Sequence, residues 1–234
     1  MEKIDTLVRE GIKTSEKFSE EATEKTLSII ELITSGGIGG NLVMGALGIL
    51  SIIAVYILIE RYSNIKKASK EDKGFLKSIQ NFVESKDIEA AKTLCKNTDS
   101  PISRMIEKGV NRIDKPMTDI SAAIENQGKL EVFKMETNLA SLATISGAAP
   151  MIGFLGTVIG MIVAFHEMAS AGGNIDVAML SQGIYTAMVT TVAGLVVGII
   201  AFIAYNYLVS KVDKVVFMLE AKTTEFLDLL HHNE

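Results

Sequence analysis

Four threonines are the residues of this chain best placed to do chemistry: Thr157, Thr186, Thr190 and Thr191. They stand inside two apolar runs, LASLATISGAAPMIGFLGTVIGMIVAF at 139–165 and YTAMVTTVAGLVVGIIAFIAYNYLV at 185–209, neither of which contains Asp, Glu, Lys or Arg. A hydroxyl donates and accepts hydrogen bonds but carries no charge. Ionisable groups inside such runs mark proton relays and ion pathways. Threonine cannot take that part, so a proton path here needs a titratable group from another subunit. A threonine in an apolar helix can also simply bond the carbonyl four residues back. Four of them on two neighbouring runs point instead to a polar seam.

The same runs are dotted with small residues. Ala149, Gly153, Gly156 and Gly160 mark the first, with Pro150 interrupting its hydrogen-bond ladder, and Gly194 and Gly198 mark the second. Small residues at such spacing let helix backbones approach closely where no hydrophobic effect drives them together. These positions are expected to be the packing face, and the four threonines the polar lining.

The elements that must hold these residues follow from length. Runs of roughly 20 or more apolar residues can cross a bilayer core of about 30 Å. A third run, LVMGALGILSIIAVYILI at 42–59, ends at Glu60 and Arg61. The chain therefore reads as an all-α membrane protein with three spans. The expected order is an amphipathic segment at 1–40, spans at 41–60, 139–165 and 185–209, a helical domain at 61–138, a loop at 166–184 and a helical tail at 210–234. The first residues are too acidic and interrupted for a signal peptide, so the first span is expected to be a retained anchor.

Charge sets an orientation. Most of the 23 lysines and arginines lie within 60–138, and Arg61, Lys66, Lys67, Lys70 and Lys73 crowd the end of the first span. Residues 166–184 have none, and Lys211 and Lys214 follow the third span. The positive-inside rule then puts 60–138 and the tail in the cytoplasm, with the N-terminus and the 166–184 loop outside.

Apolar stripes at helical spacing fill the segments between and beyond the spans. Ile4, Leu7, Val8 and Ile12 form one; Phe75, Leu76 and Ile79 another; Met105, Ile106 and Val110 a third. A long helix is predicted from Thr118 through Ile120, Ile124, Leu130 and Phe133 into the second span. The third span is predicted to run on through Val212, Val215, Leu219 and Phe226. Two long helices thus project from the membrane, braced by shorter ones.

Several function classes fall away. A net charge of −5 gives no reason to expect nucleic acid. Cys95 is the sole cysteine, and His166, His231 and His232 form no metal-spaced set. The glycines of GGIGGN at 36–41 follow no strand, so they do not form a nucleotide loop; they are expected to break the preceding helix and start the span. No nucleophile–base constellation appears, so neither an enzyme nor a bound cofactor is expected. A scaffold whose spans only anchor the 61–138 domain is the remaining alternative, and an anchor needs no clustered threonines.

GAAPMIGFLGTVIGMIVAF at 147–165 and GIYTAMVTTVAGLVVGIIAFIAYN at 183–206 resemble the paired signatures of the MotA/TolQ/ExbB proton-channel family. Three spans with the large loop between the first two are similar to its ExbB and TolQ branch. The resemblance implies a homo-oligomeric ring, commonly a pentamer, around two copies of a single-span partner such as ExbD or TolR. That partner carries an aspartate in its span. The resemblance further implies a bacterial inner-membrane location, protons as the coupling ion, and delivery of work to a TonB- or TolA-like protein. The family's pore-facing threonines correspond to Thr157 and Thr191. A glutamate of well-studied members corresponds to Thr186, and a proline to Ile200.

Overall fold

The computed structural model describes residues 37–70, 74–170 and 177–231. The amphipathic segment expected before position 37 lies outside them. Among the described residues all regular structure is helical: α1 Gly37–Ala68, α2 Phe75–Glu84, α3 Ile88–Asn97, α4 Pro101–Val110, α5 Met117–Glu136, α6 Leu139–Ser170 and α7 Val177–His231. Three stretches are long and apolar enough to cross a membrane: one within α1, one over α5 and α6, and one within α7.

At 1.5 Å per residue, the 55 residues of α7 reach about 80 Å, more than twice the roughly 30 Å of a bilayer core. The helix must therefore project well beyond any membrane it crosses. Its distal half supplies Val212, Val215, Leu219 and Phe226 to a core shared with Ile79, Ile106 and Ile124.

The short helices that complete this domain start where their sequences say they should. The Asp87 side chain accepts from the Ala90 N–H at 3.1 Å and caps α3. Ser100 and Ser103 cap α4 reciprocally, with Pro101 in its first turn, where a missing N–H costs nothing.

α6 and α7 pack as an antiparallel pair, and α1 touches both. Gly39 lies against Ile159 and Val43 against Gly156. α1 is thus antiparallel to α6 and parallel to α7. Outward faces of all three are apolar and open, as at Ile52, Ile59, Met151, Phe154, Ile199 and Ile203. A surface of that kind calls for lipid or neighbouring chains.

Two expectations change in detail. The predicted continuous helix from Thr118 into the second span breaks at Thr137–Asn138. Asn138 takes a left-handed φ of 65°, which asparagine tolerates better than most residues, and the Thr137 hydroxyl turns back onto the Phe133 carbonyl at 2.9 Å. Gly37–Gly40 form the first turn of α1. The loop expected over 166–184 shrinks, because α6 runs to Ser170 and α7 begins at Val177; Ala164 and Gly183 still touch across the pair.

Candidate functional site

Close approach of α6 and α7 creates the site. A Cβ placed on Gly198 would stand 2.6 Å from the Pro150 ring, and one on Gly160 2.8 Å from the Ala187 methyl. Between those ends, a Cβ on Gly156 would meet the Thr190 hydroxyl at 2.5 Å, and one on Gly153 the Thr190 carbonyl at 2.7 Å. Ala149 is fully buried in the same seam, beside Val43 and Leu47 of α1. Only hydrogen fits at the central glycines. The packing positions read from the sequence therefore lie along one line of contact.

The Gly153 carbonyl is the polar focus of that line. Thr190 and Thr191 of α7 each place a hydroxyl 3.2 Å from it, and Thr157 of α6 lies 3.4 Å away. Thr157 and Thr191 also bond to one another, oxygen to oxygen at 2.5 Å. A hydroxyl has one proton to give, so the two cannot both donate to the carbonyl and to each other. One chain of donation satisfies the set: Thr157 to Thr191, and Thr191 to the Gly153 carbonyl. The reverse order serves equally, with Thr157 donating to the carbonyl.

The four threonines do not share one environment. Thr157 and Thr191 are half-buried and their hydroxyls meet. Thr190 is only 3% exposed and also bonds its own helix, donating toward the Ala187 carbonyl at 2.7 Å. Thr186 reaches only the Gln182 and Gly183 carbonyls, at 3.1 and 3.0 Å, and stays outside the cluster. The structure thus brings Thr157, Thr190 and Thr191 together and leaves Thr186 as a backbone cap.

A second polar centre lies outside the spans. Glu131 on α5 is 2% exposed. It accepts a forked pair of bonds from Arg104 on α4, at 3.1 and 2.8 Å, and single bonds from Lys134 at 2.9 Å and Gln127 at 2.8 Å. Burial pushes its carboxyl up, but the hydrogen bonds and charges of Arg104 and Lys134 outweigh that and hold it below the usual range. Arg61, at the end of the first span, donates to the Lys134 carbonyl at 2.9 Å and so ties α1 to α5. The spacing of Gln127, Glu131 and Lys134 was visible; the Arg104 partner, 27 residues away, was not.

Among the described residues no group of His, Cys, Asp and Glu is arranged to hold a metal. The seam offers an uncharged, hydroxyl-bearing strip between two helices of membrane length.

Fold and site together define a multi-pass helical membrane protein. Residues 97–221 match the family described as the MotA/TolQ/ExbB proton channel family, and the chain belongs to it. Its relatives include an ExbB homolog of Methanothermobacter thermautotrophicus, 28% identical over 186 residues, which are 80% of this chain and 64% of that protein. The chain thus spans less than two thirds of that relative's length. The Tol-Pal system protein TolQ of Pseudomonas aeruginosa is 24% identical over 215 residues, covering 87% and 93% of the two chains. The biopolymer transport protein exbB1 of Vibrio cholerae is 28% identical over 180 residues, covering 74% and 77%. The family is one of proton channels rather than enzymes.

Proposed function

We propose that the chain is a proton-motive-force-driven, energy-transducing subunit of the bacterial inner membrane. It stands in a ring, a pentamer in this reading, around an ExbD- or TolR-like partner with one span. The N-terminus and the segment joining α6 to α7 lie outside, and α2 to α5 with the end of α7 lie in the cytoplasm. The work passes to a TonB- or TolA-like protein and drives an outer-membrane process such as active import.

One observation carries this reading: Thr157 and Thr191 share a hydrogen bond in a seam with no ionisable group. That pair can present hydroxyls to a proton carrier but cannot be the carrier. The partner's aspartate fills the missing role. When it takes a proton opposite the threonines, a charge that is costly in a low-dielectric site disappears, and the partner is free to step to the next subunit. The membrane potential supplies about 2.3 kcal/mol per charge for each 100 mV.

Thr157→Val and Thr191→Val test it, each keeping the side chain's shape while removing the hydroxyl. The ring should assemble with its partner, and proton-driven work should stop. Normal transduction by both variants would remove the threonines from the mechanism.

A further inference from the structure

Tyr62 of α1 and Tyr207 of α7 stack, with ring centroids 6.3 Å apart and planes 27° from parallel. Each tyrosine has a lysine one turn further along its own helix. The Lys66 ammonium lies 5.9 Å from the Tyr62 ring centre, and the Lys211 ammonium 5.4 Å from that of Tyr207. Since α1 and α7 run parallel, both lysines lie on the same side of the stacked rings. Two Tyr-xxx-Lys units from distant parts of the sequence thus come into register.

That place coincides with the end of the apolar surface. On the membrane side of the rings, at the three-, four- and seven-residue spacings that share a helix face, stand Val55 and Ile59 on α1 and Ile200 and Ile203 on α7. All four are exposed, as are both tyrosines. On the other side, Lys67, Lys70 and Lys214 add positive charge, with Glu71, Asp72 and Asp213 the nearby carboxylates in sequence. Glu60 is engaged by Arg61. Neither Lys66 nor Lys211 is among the ion pairs of the described residues.

We propose that this paired site binds an anionic phospholipid. The headgroup phosphate lies between the ammoniums of Lys66 and Lys211, the stacked tyrosines sit at glycerol level, and the acyl chains run along Val55, Ile59, Ile200 and Ile203. Tyrosine suits that level because its ring is apolar and its hydroxyl is wet. Basic groups next to it select negative headgroups. The proposal rests on the spans crossing a bilayer and not on proton coupling.

The test uses the full chain purified in detergent. Phosphatidylglycerol and phosphatidylcholine with identical acyl chains are added back, and inorganic phosphate is added in a third arm. Bound lipid per chain is read by mass spectrometry of the intact protein, and the melting temperature is followed alongside. Wild type should retain phosphatidylglycerol and melt higher with it, while phosphatidylcholine and phosphate leave it unchanged. In the Lys66→Gln/Lys211→Gln double variant, phosphatidylglycerol should bind about thirtyfold more weakly; Lys66→Arg/Lys211→Arg should keep binding. Equal retention of the two lipids by wild type overturns the proposal, and that comparison needs no variant to fold. Undiminished binding in the double glutamine variant overturns it as well. A melting shift with phosphate alone would mean a simple anion site, and the lipid assignment would fall. Threonine-dependent transduction is measured separately and stands whichever way the lipid result goes.

Discussion

Gly153 and Gly194 meet backbone to backbone. A methyl built on Gly194 would stand 2.9 Å from the Gly153 Cα and 2.5 Å from the Ala149 carbonyl oxygen. No side chain is there to swing aside, so the helices themselves would have to part. Gly194→Ala should therefore destabilise the helix pair by about 1–3 kcal/mol, the usual range for overpacking. It should also separate Thr157 from Thr191 and reduce transduction. A methyl at Gly48 would meet nothing within 4 Å, so Gly48→Ala should cost no stability. Melting curves of the two variants in detergent make the comparison.

The threonines separate by partner. Thr186 bonds only carbonyls of its own helix, so Thr186→Val should leave transduction near wild type. Thr190 lies buried between the helices and reaches the Gly153 carbonyl. Thr190→Val should lower stability by about 1 kcal/mol, the scale of hydrogen bonds between helices in membranes, without stopping coupling outright. Proton-driven growth or import assays, run beside the Thr157 and Thr191 variants, rank the four. A Thr186 variant as defective as Thr191→Val would show that the pair is not the operative unit.

Much of this arrangement was legible in the chain, and the reasons are physical. Three acid-free apolar runs leave little choice but helices of membrane length. The Gly and Ala spacing in two of them forces a close pair, as Gly153 and Gly194 show. What periodicity could not supply was the break at Asn138, because a single left-handed residue leaves the apolar pattern on either side intact. Nor could it rank the threonines, since facing inward or along the seam depends on rotation about the helix axis. The buried face of α5 was hidden for a related reason. Leu130 and Phe133 are 56% and 71% exposed, while Glu131 between them is buried. A carboxylate looks like a surface residue until its guanidinium partner is found.

Glu131 should make the domain built by α2 to α5 sensitive to acid. Its folded-state carboxyl is held below the usual range by Arg104 and Lys134 despite burial. The stabilisation is therefore fully present above the ordinary carboxylate range and is lost as pH falls through the lowered folded value. Glu131→Gln should remove that part of the pH dependence. It should cost up to about 3 kcal/mol at neutral pH, the low end for breaking a buried pair, because Arg104 keeps 36% exposure and can turn to water. Thermal melts of wild type and variant from about pH 7 down to about pH 3, a range that brackets the ordinary carboxylate titration, should converge in acid. Curves that stay parallel would assign the difference to shape rather than charge.

Cys95 provides an independent reading of the same domain. Its thiol is 2% exposed in the core shared with Ile106 and Phe226. Burial, with a smaller contribution from the charge of Glu107, pushes it up to about 12. The thiolate is the nucleophile, so at about pH 8, near the ordinary thiol value, the folded protein should resist alkylation and react only when the domain opens. Native protein should remain unlabelled by iodoacetamide while denatured protein is labelled fully, with intact mass as the readout. Glu131→Gln, by loosening the link between α4 and α5, should speed labelling under native conditions. Prompt labelling of native wild type would mean that the domain opens freely, and the buried carboxylate could not then be its fastening.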